Sequence, residues 1–192
     1  MSSAPSNVTR RELNPRQAET VDRVVAATLD ELQAVGYDEL TVRTVAGRAA
    51  VAPATAYTYF SSKNHLIAEL FWRRLAERPR AELAKATALD RVCAVFEDLS
   101  EFLAAEPELA AAVTAALLGS EPDVRHLQLM IGREIEGRLG EALGPDVPTD
   151  ARDALSLAWA GAMLQAGMGH ARFADLGTRL GAVARVVLAG QS

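Results

Sequence analysis

Between Gly36 and Leu66 the chain reads GYDELTVRTVAGRAAVAPATAYTYFSSKNHL, and no other stretch limits its possible folds as much. Thr41 can cap a helix, because its hydroxyl accepts an amide hydrogen bond that the first turn otherwise leaves unmade. Val42, Val45, Ala46 and Ala49 follow at three- and four-residue intervals and so share one apolar face. Ala50, Val51 and Ala52 make a tight connection. Pro53 suits the first position of the next helix, where its missing N–H costs little. That helix spans 53–60 and is short.

Projected at about 100° per residue, Ala56 and Phe60 fall together and face the protein. Ala54, Thr55 and Thr58 point the opposite way, with Tyr57 and Tyr59 on the flanks. An outward face this small and polar fits a DNA major groove, where small side chains meet thymine methyls and base edges while flanking hydroxyls reach phosphates. Lys63, after Ser61 and Ser62, opens the following helix and sets a cation beside amides that favour phosphate. The pattern predicts a helix-turn-helix.

The order of Gly36, Tyr37, Thr41, Val42, Val45, Ala46, Ala49, Val51, Thr55, Tyr57, Tyr59, Phe60, Lys63 and Leu66 resembles the DNA-binding signature of the tetracycline-repressor (TetR) family. The resemblance implies that Thr41, Thr55, Tyr57, Tyr59 and Lys63 contact the DNA backbone or base edges, and that Arg43 reaches toward a base. Thr44, Pro53, Ala54 and Thr58 complete the candidate DNA-binding surface. Three positions depart from the family pattern. Ala50 stands where Gly is usual, Ala52 where a capping Ser or Thr is usual, and Ala56 where a larger aliphatic is common. A left-handed Ala costs about 1 kcal/mol, and a lost cap about as much.

Charge does not advertise a nucleic-acid binder, since 20 basic residues face 25 acidic ones for a net −5. The excess is unevenly placed. Residues 1–65 carry seven basic and seven acidic residues, so the remainder holds all of it, away from the reading head. Arg10 and Arg11 lie in a polar tail over 1–13, expected to be flexible. Cys93 is alone, which rules out an internal disulfide and fits a reducing compartment, here the cytoplasm. It reads as a small buried apolar residue. The N-terminus lacks a signal-like apolar core. Residues 154–171 lack formal charge, but their Ala and Gly content and Ser156, Gln165 and His170 favour a bundle helix over a membrane span.

Taken in order, Asn14-Pro15-Arg16-Gln17 opens a helix with cap, first-position proline and capping-box partner. Ala18, Val21, Val25, Leu29 and Leu32 form its buried stripe, and Gly36 is placed to end it in a left-handed conformation. A fourth helix runs from Ser62 past Leu66, Leu70 and Phe71 to about Glu77, where Pro79 breaks it. Its position makes it a lever between head and body. Beyond Arg80 every apolar stretch has helical period, with helices at 89–105, 107–118, 123–143, 151–169 and 176–188. The prediction is all-α: a three-helix helix-turn-helix head over 14–62 and a larger bundle over 63–192, about nine helices in total.

Small residues mark the last two long helices: Ala158, Gly161 and Ala162 on one, Gly181, Ala182 and Ala184 on the other. Leu176, Leu180, Val183 and Val187 form a stripe that one chain need not cover. The resemblance implies a four-helix homodimer interface there, and a two-fold dimer is what so short a reading helix requires. Bulky groups gather in the middle helices. Trp72, Leu75, Phe96, Leu99, Phe102, Leu117, Leu127, Met130, Ile131, Trp159 and Met163 are candidate ligand-binding residues, although for any one of them simple core filling is the better account. The resemblance implies a cavity whose filling moves the fourth helix. With few interior charges in prospect, the expected effector is apolar or amphipathic, such as an acyl chain, a steroid-like compound or an aromatic.

A rival from another class is an all-helical carrier or enzyme whose helix-turn-helix is incidental. The sequence offers it little. His65, His126 and His170 are widely spread, no carboxylate pair makes a site, and Glu134 and Glu136 read as a solvated helix face. No catalysis, cofactor, metal or membrane partner is expected; operator DNA, an effector and a second copy are. Binding near a promoter is compatible with repression or activation, and repression is favoured through the resemblance.

Overall fold

A computed structural model describes residues 13–81 and 87–189, and every regular element in them is helical. The order is α1 (Pro15–Glu39), α2 (Val42–Arg48), α3 (Pro53–Tyr59), α4 (Lys63–Glu77), α5 (Ala88–Ala105), α6 (Pro107–Ala116), α7 (Pro122–Leu143), α8 (Thr149–Gly167), a 3-10 turn at Phe173–Asp175, and α9 (Leu176–Ala189). The all-α expectation holds, with a three-helix N-terminal head followed by a larger helical body. Residues 1–12, including Arg10 and Arg11, lie outside the described residues.

Cα packing divides these helices into two compact units, 13–78 with 115–131 and 79–114 with 132–189. In the first, α1 packs against α2, α3 and α4. Its start is fixed by a capping box, in which the Asn14 side chain accepts from the Gln17 N–H and Gln17 Oε1 accepts from the Asn14 N–H, both at 3.0 Å. Val21, Val25 and Leu32 are buried as expected, joined by Val24, Ala27, Thr28 and Glu31, while Ala18 and Leu29 are half-buried. Gly36 differs from expectation. Its φ of 77° is positive but its ψ of 169° is extended, so it kinks the chain and lets one further turn form before Leu40. That backbone region is open to glycine almost alone.

All eight residues of α4 from His65 to Trp72 are buried, so neighbours cover this helix on every side. Ser62 caps it by accepting from the His65 N–H at 3.1 Å.

In the second unit α5 packs against α9 and the 3-10 turn, and α8 against α9. The approach of α9 to α5 is close. A Cβ at Gly177 would lie 3.0 Å from Glu97 Cα, and one at Gly181 would lie 3.3 Å from Cys93 Sγ. Gly181 and Ala184 are therefore buried inside the chain, as are Leu176 and Leu180. The uncovered side of α9 is a different one, with Val183 39% and Val186 77% exposed. On α8, Leu157 and Leu164 are also exposed, together with Gly161, as is Met168 just past the helix end. Cys93 is half-buried rather than fully buried, and burial pushes its thiol pKa up.

Two expectations about charge are corrected in this unit. Glu134 does not decorate a solvated face: it accepts from Arg138 Nε at 2.9 Å and from Arg80 at 3.1 Å. Arg138 itself is 3% exposed, with Asp98 at 3.8 Å and the Pro79 carbonyl at 3.2 Å. The interior thus holds a charged network that no periodicity reveals. Among the described residues no helix is long and apolar enough to cross a membrane.

Candidate nucleic-acid interface

The head is assembled by its turn. α2 starts from a reciprocal pair: Thr41 Oγ1 accepts from the Thr44 N–H, and Thr44 Oγ1 accepts from the Thr41 N–H, each at 3.1 Å. It ends in a Schellman arrangement, where the Val51 N–H reaches the Ala46 carbonyl at 2.9 Å and the Ala50 N–H reaches Gly47 at 3.2 Å. Ala50 consequently sits at φ 52°, the conformation for which glycine is the usual choice. Ala52 then precedes α3 with no side-chain cap.

Both alanines leave stability unclaimed. Ala50→Gly should relieve about 1 kcal/mol of strain, and Ala52→Ser should add a cap of about 1 kcal/mol. Each is expected to raise Tm by about 2 to 4 °C in a thermal melt. A drop on Ala50→Gly would contradict the strained turn.

The predicted phase of α3 is the observed one. Ala56 and Phe60 are fully buried, Ala54, Thr55, Thr58 and Pro53 are exposed, Tyr57 is 53% exposed and Tyr59 half-buried on the flank. Thr58 turns its hydroxyl proton back onto the Ala54 carbonyl at 3.0 Å, leaving oxygen lone pairs outward. Thr41, Arg43 and Thr44 are exposed on α2. The surface formed by α3 and the first turn of α2 is therefore small, polar and rich in hydroxyls.

Lys63 has a second engagement that sequence reasoning did not anticipate. Its Nζ donates to the carbonyls of Tyr37 at 2.9 Å and Asp38 at 3.1 Å, and lies 4.4 Å from the centre of the Tyr37 ring. An ammonium has three donors, and these two carbonyls engage two of them. Tyr37 in turn donates its hydroxyl to Asn64 Oδ1 at 2.5 Å, and Asn64 Nδ2 reaches Glu121 at 3.3 Å. Burial, with smaller contributions from Glu121 and Asp38, raises the Tyr37 pKa and keeps the phenol neutral. The chain from Lys63 to Glu121 ties the end of α1 to the start of α4.

Three ion pairs brace α1, α2 and α4. Glu31, 7% exposed on α1, meets Arg48 Nε of α2 at 2.6 Å. Arg73 of α4 meets Asp22 of α1 at 2.6 Å and Glu69 at 2.8 Å. Arg48 and Asp22 are partly exposed, so the buried members are Glu31 and Glu69, and removing the arginine opposite either would leave a buried carboxylate uncompensated.

His65 lies under this surface, 5% exposed, edge-on to Phe60 at 5.3 Å. Its Nδ1 is 3.4 Å from the Ser61 amide and hydroxyl and 3.9 Å from Asp123 Oδ2, to which Ser61 Oγ donates at 2.9 Å. Burial lowers the imidazole pKa, against smaller opposing contributions from Asp123, Glu69 and Glu121. The unfolded chain binds this proton at about pH 6.5 while the folded head resists it. Stability is thus present above that pH and lost as the pH falls through it. His65→Gln should flatten the fall of Tm between about pH 7.5 and about pH 5.5; a parallel fall in both proteins would exclude His65 as its source.

The family profile described as "Bacterial regulatory proteins, tetR family" matches residues 24–70, the stretch that holds this interface. An uncharacterized HTH-type transcriptional regulator of Mycobacterium tuberculosis is 44% identical over 92% of this chain and 84% of its own length. The chain belongs to the TetR family of bacterial transcriptional regulators. An HTH-type transcriptional repressor, KstR of Mycolicibacterium smegmatis, is 30% identical over 70% of this regulator and 68% of its own length. Among solved structures, FadR from Bacillus subtilis in complex with stearoyl-CoA superposes with a TM-score of 0.60 at 21% identity, covering 88% of this chain and 98% of that one. The family is one of regulators rather than enzymes. Among the described residues no group of three His, Cys, Asp or Glu side chains is placed to hold a metal.

The candidate ligand-binding residues of this TetR-family regulator divide between the two units. Trp72, Leu75, Leu117, Leu127, Met130 and Ile131 lie in the first, and Phe96, Leu99, Phe102, Trp159 and Met163 in the second. Leu75, Phe96, Leu99 and Leu127 are completely or almost completely buried. Phe96 and Trp159 stack with ring centres 6.2 Å apart and planes 6° from parallel.

Proposed function

We propose that this TetR-family regulator is a cytoplasmic homodimeric repressor, which binds a palindromic operator through α3 and is released by a small apolar or amphipathic effector. The observation that carries the reading is the face of α3. Ala54, Thr55, Tyr57 and Thr58 stand outward from a head whose own core is closed by Ala56 and Phe60. In this reading residues 14–62 form the DNA-binding domain and 63–192 the effector-binding and dimerisation domain. Thr55 and Thr58 meet base edges, while Thr41, Tyr57, Tyr59 and the remaining donor of Lys63 hold phosphates.

One such helix contacts too few base pairs for useful specificity, so two copies act together. Support for the dimer comes from the exposed apolar positions Leu157 and Leu164 on α8, Met168 at its C-cap, and Val183 and Val186 on α9. Residues 157, 164 and 168 recur at helical spacing, as do 183 and 186, so each helix presents a stripe rather than scattered apolar residues. The operator is then an inverted repeat with half-sites about one helical turn apart or somewhat more. The effector class rests on the aromatic and aliphatic side chains of the body, and the stearoyl-CoA held by a protein of the same fold is compatible with it. Release requires that the effector prefer a conformation of the dimer that spaces the heads wrongly, and a coupling of about 1 to 3 kcal/mol suffices. α4, joined directly to the head, is the lever.

Sequencing of genomic fragments pulled down by the protein should return the inverted repeat. On that site, Thr55→Ala should weaken binding about 5- to 100-fold, more than on random duplex. Lys63→Ala should weaken all duplexes alike and lower the salt slope by about one unit. Equal loss of cognate and random binding on Thr55→Ala would remove α3 as the base reader.

A further inference from the structure

Among the described residues, two buried side-chain polar atoms lack a hydrogen-bond partner, and both are on one turn of α4: Glu69 Oε2 and Trp72 Nε1. Glu69 is 1% exposed and Trp72 8%. Residues three apart on a helix are surface neighbours, so the two side chains leave α4 on the same side. Their chemistry is opposite, for the carboxylate oxygen only accepts and the indole N–H only donates. Proteins seldom leave such atoms unmet, and each instance calls for a reason.

We infer that Glu69 Oε2 and Trp72 Nε1 form the polar recognition point for the effector, and that the effector carries an alcohol group. A hydroxyl is the smallest group that satisfies both, donating its proton to Glu69 while its oxygen accepts from Trp72. A pure hydrocarbon satisfies neither, and an ether satisfies only the indole. The inference rests on the effector reading above and narrows it, from any apolar compound to an amphipathic one with a hydroxyl on its apolar body.

The placement also couples the ligand to the head. Glu69 Oε1 holds Arg73 Nε at 2.8 Å, and Arg73 holds Asp22 of α1 at 2.6 Å. A hydroxyl that engages the second oxygen of Glu69 therefore acts on the carboxylate that orients the link from α4 to α1. Neither atom is reached by solvent, so the ligand enters only as the packing around α4 shifts, and its affinity differs between the two arrangements.

The test uses 1-dodecanol and its methyl ether as probes of the full chain. The sequence holds two tryptophans, so in a Trp159→Phe background the emission of Trp72 reports binding directly. Dodecanol should bind about tenfold or more tightly than the ether, because the ether leaves Glu69 unmet. Glu69→Gln keeps the shape and puts a donor in place of the acceptor. Both probes then only accept from it, and the ratio should fall to about one. Trp72→Phe, followed by calorimetry, should weaken both probes while preserving the ratio. Equal affinities for alcohol and ether in the parent, or a preference that survives Glu69→Gln, would overturn the recognition point and leave the apolar effector standing. Binding of neither probe would overturn both.

Discussion

In the proposed homodimer, replacing Leu157 and Val186 with aspartate together should convert dimer to monomer at micromolar concentration and lower operator affinity by about 100-fold or more. Both side chains stand about three-quarters exposed on a single chain, at 74% and 77%, so neither substitution disturbs a packed core. Surface changes of that kind alter folding by about 0.5 kcal/mol or less. Across a two-fold interface the situation reverses, because each partner brings two carboxylates into an apolar contact where they are desolvated and unpaired. The loss of affinity then follows without any change to the reading head. A dimer places the second head beside its half-site at a high effective concentration, and a monomer forfeits that advantage. Light scattering and operator titration read the two effects separately. A double variant that stays dimeric would move the association surface elsewhere, and a parent that is monomeric would remove the homodimer altogether.

The same two helices mark where the sequence stopped being legible. Their small residues were plain, and so was the expectation that some apolar stripe goes uncovered. Its phase was not. α9 has an apolar or small side chain on nearly every face, so periodicity cannot distinguish Leu176 and Leu180, which α9 turns inward, from Val183 and Val186, which it does not. Alanine blurs α8 in the same way. The head is the opposite case. Pro53 and the pairing of Ala56 with Phe60 fix α3 and its phase, and Asn14, Pro15 and Gln17 fix the start of α1, because each signal is local and has one mechanism. Even the strain at Ala50 could be foreseen, since a tight turn at that point demands a positive φ. What escaped were partners distant in sequence. Glu31 and Arg48 are 17 residues apart, Asp22 and Arg73 51, and Lys63 with the Tyr37 carbonyl 26. Nothing in a linear pattern pairs one carboxylate with one guanidinium among many, and only the packing of α1 against α2 and α4 selects them.

Phe60→Ala should lower stability by about 3 to 5 kcal/mol, the usual cost of emptying a buried aromatic site. For a chain of this size that corresponds to a Tm lower by about 10 °C. The residue closes α3, donating its N–H to the Ala56 carbonyl at 2.9 Å, and its fully buried ring lies edge-on to His65. Removing the ring therefore does two things at once. It opens a cavity beneath α3, and it admits water to the imidazole whose lowered pKa comes chiefly from burial. The second effect gives the prediction its specificity. If burial under Phe60 is what holds His65 neutral, the variant should lose the His65 share of the acid sensitivity, so that Phe60→Ala and Phe60→Ala/His65→Gln melt with the same dependence on pH between about 5.5 and about 7.5. Operator affinity should fall with the head, since a loosened α3 no longer holds Thr55 and Tyr57 at fixed positions. A variant that melted like the parent and bound DNA as tightly would mean that α3 is held by something other than this ring.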